Sequence, residues 1–225
     1  MLEILSFLQS EEKITSDVAQ ATFLSQETIY SFPNHNYKIG IIKSGFCQLE
    51  GYLNEQWVLL GILKSEDIFG VEILLDDPSS LYAPIQYRIT TLQRSEIFFL
   101  EREYILNHLY GTGGFQKLLR DCMIQSMIKY ANHYLKAFSP PSERIHNALY
   151  EIAKNLDLPI IGNKITFPKF VTKTFITRYT RCNRSRVYKT LNELQTKNII
   201  LAYHPLQMVP CKEQLLSKTT VSIEK

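Results

Sequence analysis

The chain has 225 residues, with 25 Lys and Arg against 22 Asp and Glu and an apolar share of 45%, ordinary for a soluble protein. That length holds one large domain or two small ones, each able to bury a core. No apolar run reaches the roughly 18 residues that cross a bilayer, and Met1-Leu2-Glu3-Ile4 lacks a basic stretch ahead of an apolar one, so neither a membrane span nor a signal peptide is expected.

In chain order, residues 1–30 read as one or two short helices. Ile39–Glu50 then reads as two strands around a Ser44-Gly45 turn, and Gln56–Leu63 as a third strand. Glu66–Pro84 is a loop-rich spacer containing Gly70 and Asp76-Asp77-Pro78. Ile85–Leu92 and Glu96–Leu100 read as two more strands. Short strands at even spacing with turn residues between them predict an antiparallel β-roll, jelly-roll-like, over residues 1–110.

Beyond Gly111-Thr112-Gly113-Gly114, Phe115–Phe138 contains no Gly or Pro and reads as one long helix. Leu119, Met123, Met127, Tyr130, Tyr134 and Phe138 share one stripe, with Leu118, Cys122 and Ile128 beside it. One apolar flank is satisfied by the roll. A second flank wants another partner, and a symmetry mate meets that need. Leu119, Cys122, Met123, Met127, Tyr130 and Tyr134 are therefore the candidate dimer contacts. The alternative is a helix covered by its own domain.

Residues 139–210 read as a third unit. Ser139-Pro140-Pro141 looks like a helix start with Ser as N-cap and Pro in the first turn. Ile145, Ala148, Leu149, Ile152, Ala153 and Leu156 mark an amphipathic helix. Ile165-Thr166-Phe167 is a short strand. Thr172 is a good N-cap for a helix bearing Phe175, Ile176 and Tyr179, and Thr180-Arg181-Cys182 forms a turn. Asn183 caps the next helix, where Val187, Leu191 and Leu194 recur on one face. Asn198–Tyr203 and Leu206–Val209, joined through His204-Pro205, read as a hairpin. Two helices around a tight turn, followed by such a hairpin, are how a winged helix-turn-helix presents side chains to the DNA major groove. Arg184, Ser185, Arg186 and Lys189 are the base-facing candidates, with Asn183 at the helix start. Thr172, Lys173, Thr174 and Arg178 are the backbone-facing ones. The bland alternative is a basic amphipathic helix pair on a solvated face. Residues 211–225 look like a short polar tail.

Charge supports the division. Residues 142–205 hold eleven Lys and Arg and four Asp and Glu, a net of +7, whereas residues 1–141 hold eleven and sixteen, a net of −5. Only the C-terminal part is expected to meet a polyanion.

The order of roll, long helix and winged helix-turn-helix resembles the Crp/Fnr family of bacterial transcription regulators from about Tyr37 to Val209. Ile41-Ile42-Lys43-Ser44-Gly45 is similar to the family's strand pair and Lys64-Ser65-Glu66-Asp67-Ile68-Phe69-Gly70 to its Gly-Asp-x-Phe-Gly-Glu turn. Arg181–Leu194 is similar to its Gly-Cys-Ser-Arg-Glu-Thr-Val-Ser-Arg helix-turn-helix. The resemblance implies an α+β protein acting as a homodimer on palindromic double-stranded DNA, with RNA polymerase as a partner, in the bacterial cytoplasm. Arg184 and Lys189 match base-reading positions, and Ser185 stands where the family carries Glu.

Departures from the family pattern bear on cofactors. Gly70 is followed by Val71, with Glu72 one place late, and a one-residue slip on an extended strand turns a side chain to the other face. Asp76–Gln86 contains no Arg-Ser or Arg-Thr pair. A buried cyclic phosphate without a cation is costly, which argues against cAMP. No cysteine precedes Cys47, which argues against an iron–sulfur cluster, and nothing singles out a haem ligand. No cofactor is expected. Arg181 replaces the usual turn Gly, and Thr177 a small residue.

Cys47, Cys122, Cys182 and Cys211 are far apart and form no Cys-x-x-Cys, which favours free thiols in a reducing cytoplasm. Cys47 and Cys122 are candidates for a thiol response, against the plainer reading of small buried hydrophobes. The five histidines show no metal-ligand spacing. Residues 37–100 contain no His, against a cupin-like enzyme, and the basic domain holds no acidic metal cluster, against a nuclease. The expectation is a sequence-specific regulator and not an enzyme. The rival readings are an effector-less or degenerate member that contacts protein, or one that binds DNA without sequence preference.

Overall fold

The structure, a computed structural model, describes residues 18–33, 38–75, 86–111, 113–136 and 138–210, with a few side chains of the long helix left aside. The chain divides into two compact units, residues 1–133 and 134–225. The fold is α+β.

The first unit holds two four-stranded antiparallel sheets. One runs β1 (Val18–Phe23), β8 (Ser95–Glu101), β3 (Lys38–Ser44), β6 (Ile68–Phe69). The other runs β2 (Thr28–Phe32), β7 (Tyr87–Thr91), β4 (Cys47–Leu53), β5 (Gln56–Leu63). Successive strand residues point to opposite faces, and here both faces of the first sheet are buried. Ile42 and Ile97 face the second sheet, packing with Ile29, Tyr30, Cys47, Leu63, Phe69 and Ile89. Ile39, Ile41, Phe98 and Leu100 face the other way, onto Tyr104, Ile105, Leu109, Phe115 and Leu119. Those five come from α1 (Arg102–Tyr104), the π-turn Ile105–Leu109 that extends it, and α2 (Gly113–Lys136). This two-sided burial explains why Ile39–Ile42 is apolar without alternation.

Gly45, at the β3–β4 turn, has φ +95, and a Cβ there would lie 2.7 Å from the Arg94 carbonyl oxygen. Both facts call for glycine. On the β4–β7 pair, Glu50 stands opposite Arg88, and the two side chains meet at 2.7 Å.

The expected helices within residues 1–30 are not found from Val18 onward. Val18–Phe23 pairs residue by residue with Leu100–Ser95, and Thr28–Phe32 pairs with β7. Tertiary pairing with distant strands overrides the local pattern. Residues 1–17 lie outside the described set. The strands expected at 39–50 and 56–63 are present, and those at 85–92 and 96–100 appear as β7 and β8, shifted by one or two residues at their ends.

In the second unit, α3 (Pro141–Asn155), α4 (Lys173–Thr180) and α5 (Arg184–Thr196) stand with a four-stranded sheet ordered β11 (Ile200–Tyr203), β12 (Leu206–Met208), β10 (Lys164–Thr166), β9 (Ile160–Ile161). Helix α3 starts one residue later than expected: Pro140 is the N-cap, with no side-chain cap bond, and Pro141 takes the first turn. Pro140 has φ −51 and ψ 142, extended backbone outside the helix, which leaves Ser139 one place too early to cap it. Ile145, Leu149 and Ile152 are fully buried, as are Ile176, Val187 and Leu191. Arg144 donates to the carbonyls of Ser139 and Thr180 at 3.0 and 3.4 Å, tying the start of α3 to the end of α4. The expected hairpin is present as β11 and β12, and the strand β9 beside β10 is an addition to the sequence reading.

Candidate nucleic-acid interface

Both helix caps form as their residue types dictate. The Thr172 hydroxyl accepts the Phe175 amide at 3.1 Å, and the Asn183 side-chain oxygen accepts the Arg186 amide at 2.8 Å. The same Asn183 oxygen also accepts from the Ser185 hydroxyl at 3.1 Å, which fixes the first turn of α5. Between the helices, Arg181 sits at φ 52, ψ 30, the left-handed region that glycine occupies without cost.

Val187, Thr190, Leu191 and Leu194 are the buried stripe of α5. Opposite them, spaced four, three and four residues apart, run Ser185, Lys189, Asn192 and Thr196, all exposed. Arg184 flanks this outer stripe on one side and Arg186 on the other, both exposed. Thr172, Thr174, Arg178 and Asn183 are exposed as well. Such a face offers guanidinium, ammonium, hydroxyl and amide groups without an apolar competitor. Asn192 was passed over in the sequence reading. Its signal is the spacing itself, three residues after Lys189 and seven after Ser185.

Lys173 differs from its neighbours. It is half-buried, and its ammonium lies 3.8 Å from the centroid of the Tyr203 ring and 5.0 Å from that of Tyr188. Arg184 lies 5.2 Å from the Tyr188 centroid, and its Nη2 donates to the Tyr188 phenol oxygen at 3.3 Å. The Tyr203 hydroxyl donates to the Leu191 carbonyl at 2.9 Å, holding β11 on α5.

On α2 the candidate dimer contacts separate. Leu119 is in the core of the first unit and Cys122 is half-buried. Met123, Met127 and Tyr134 are 60%, 74% and 64% exposed. Ile124, Ile128, Leu135 and Phe138 are exposed too. The Tyr130 side chain lies outside the described set.

In the roll, Val71–Leu74 forms a 3-10 turn and not a strand, so the face-switching argument for Glu72 does not apply. The Tyr30 and Tyr87 hydroxyls both donate to Glu72 Oε1 at 2.5 Å. Burial, reinforced by the Glu72 charge, pushes both phenols well above their ordinary pKa. Gly70, at φ 78, makes room: a Cβ would meet the Lys38 carbonyl oxygen at 2.7 Å. Asp76–Ile85, most of the segment that lacks an Arg-Ser pair, lies outside the described residues. Cys47 and Cys122 are free thiols raised by burial to about 12 and about 11, so both are protonated near neutrality.

Among the described residues, no helix is long and apolar enough to cross a membrane, and no cluster of His, Cys, Asp and Glu is arranged to hold a metal ion.

No protein-family model matches the chain, and no curated relative matches it in sequence. Solved structures do match. A cyclic-nucleotide-binding-domain-containing protein from Listeria monocytogenes superposes with TM-score 0.72 at 17% identity, over 92% of this chain and 96% of that one. The c-di-GMP-responsive global regulator CLP of Xanthomonas campestris gives 0.70 at 14%, over 93% and 98%. A CRP/FNR-family transcriptional regulator from Thermus thermophilus gives 0.69 at 16%, over 88% and 97%. The chain thus has the fold of Crp/Fnr-type regulators over nearly its whole length.

Proposed function

We propose that the chain is a sequence-specific DNA-binding transcription regulator of Crp/Fnr type that binds a palindromic operator as a homodimer. The carrying observation is the outer stripe of α5, where Ser185, Lys189 and Asn192 stand exposed beside Arg184 and Arg186 on a helix capped by Asn183. Arginine meets guanine O6 and N7 bidentately, asparagine meets adenine N6 and N7, and lysine and serine serve bases or phosphates. The exposed backbone-facing set is Thr172, Thr174 and Arg178.

The exposed apolar positions of α2, among them Met123, Met127 and Ile128, support self-association through this helix. In such a dimer two recognition helices read half-sites about one helical turn, roughly 34 Å, apart. The reading includes RNA polymerase as the partner through which the bound regulator acts, with no chemistry of its own. Regulation without cAMP is part of this reading: Glu72, in the turn that resembles the family's nucleotide segment, has its Oε1 engaged by the Tyr30 and Tyr87 hydroxyls. Calorimetric titration with cAMP should therefore show no micromolar affinity.

Selection of bound sequences from a random duplex library at near-physiological salt tests the reading. A two-fold symmetric motif is expected, and Arg184→Ala should broaden it at one base pair per half-site. Binding at low salt without any motif would support a non-specific binder, and no binding at either salt a protein-interaction module.

A further inference from the structure

We infer that Tyr188 is a specificity-determining positioning residue, which holds Arg184 in its reading pose and links that pose to the wing. The inference rests on the DNA reading above and deepens it. Tyr188 follows Arg184 by four residues, so the two side chains stack along one side of α5. The guanidinium has two attachments to it: a carbon 5.2 Å from the ring centroid and an Nη2 hydrogen bond of 3.3 Å to the phenol oxygen. Arginine is a long, rotamer-rich chain, and fixing it before binding reduces the ordering cost of contact and narrows the base edges it can meet.

The ring does not stand alone. Lys173 of α4 brings its ammonium to 5.0 Å from the Tyr188 centroid and 3.8 Å from the Tyr203 centroid. Tyr203, on strand β11, is anchored by its hydroxyl to the Leu191 carbonyl at 2.9 Å. One cluster thus gathers α4, the recognition helix and the wing strand, with cations and aromatic rings in contact. Lys173, expected in the sequence reading to face the DNA backbone, carries its ammonium beside these two rings. Arg186 and Lys189 have no such partner in this cluster, so Tyr188 acts on Arg184 in particular.

The experiment is sequence selection from a random duplex library with the full chain, comparing wild type, Arg184→Ala, Tyr188→Ala and Tyr188→Phe. Tyr188→Ala should weaken preference at the same base pair that Arg184→Ala erases, with discrimination there falling at least about fivefold, the low end of a bidentate contact. Affinity for an unrelated duplex should stay at the wild-type value. Tyr188→Phe keeps the ring and loses the oxygen, so its preference should fall between the two. A Tyr188→Ala motif identical to wild type overturns the inference, and so does equal loss on every duplex, which would mean structural support only. If Tyr188→Ala fails to fold, Tyr188→Phe decides: an unchanged motif overturns the inference. A wild type that selects no motif overturns the DNA reading itself, a result distinct from a motif that Tyr188 leaves untouched.

Discussion

Glu50 and Arg88 meet across the β4–β7 ladder at 2.7 Å, with Arg88 also lying 4.3 Å from the Trp57 ring centroid. Their burial is unequal: the Glu50 side chain is 1% exposed and that of Arg88 31%. Removing Arg88 takes a charged hydrogen-bond donor from a buried carboxylate, whereas removing Glu50 leaves a guanidinium that water and the Trp57 face still solvate. Arg88→Ala should cost about 2 kcal/mol, the worth of one charge-assisted hydrogen bond, and Glu50→Ala clearly less. Urea unfolding of the two variants measures this, and equal losses would contradict the asymmetry.

Arg181 at φ 52 spends conformational energy that glycine would not. Arg181→Gly should raise stability by about 1 kcal/mol in thermal unfolding. The same change removes an exposed charge from the turn. If that charge meets a phosphate, the log–log salt slope of binding should flatten by roughly 0.9. A destabilised glycine variant would mean that the arginine side chain makes up for its backbone.

His146 packs edge-on against Tyr150 with centroids 5.2 Å apart, and its buried Nε2 has no hydrogen-bond partner. Burial first, and the Lys197 charge second, hold its pKa below 6.5. The unfolded chain therefore binds a proton that the folded chain refuses. Stability is full above the unfolded pKa and declines as pH falls through 6.5 toward the lower folded value. His146→Gln should flatten this decline in melting curves between pH 8 and about 5. A decline unchanged by the substitution would remove His146 as its source.

Cys47 is fully buried, and burial lifts its thiol to about 12. Alkylation of the native protein near pH 8 should leave Cys47 unmodified until denaturant is added, read by mass spectrometry of the peptides. Rapid native labelling would reopen a thiol-sensing role for the roll.

Met127, 74% exposed on α2, lies at the centre of the proposed self-association surface. Met127→Glu should shift the protein toward monomer in sedimentation and weaken operator binding, while melting temperature changes little. A variant with wild-type mass in solution would place the dimer contact elsewhere.

Local chemistry carried much of the site into the sequence. Thr172 and Asn183 were legible as caps because a cap bond spans three residues, and the stripe Val187, Leu191, Leu194 was legible because helical period is local. The strands from Lys38 to Leu63 were legible through their close turns. Val18–Phe23 and Thr28–Phe32 were not, because their partners in β8 and β7 lie 55 to 82 residues downstream, from Phe32↔Tyr87 to Val18↔Leu100.

By itself, then, the sequence determined the helix-turn-helix, its caps, its basic outer face and the charge contrast between the two parts of the chain. These depend on residue type and short spacing. Only the tertiary structure decided that Glu72 is held by Tyr30 and Tyr87, that Leu119 belongs to the roll's core, and that Lys173 and Arg184 share the Tyr188 ring. In the first two the contacting groups lie apart along the chain. In the third, the i to i+4 step brings Arg184 to Tyr188, but Lys173 reaches the ring only through the packing of α4 and β11 on α5.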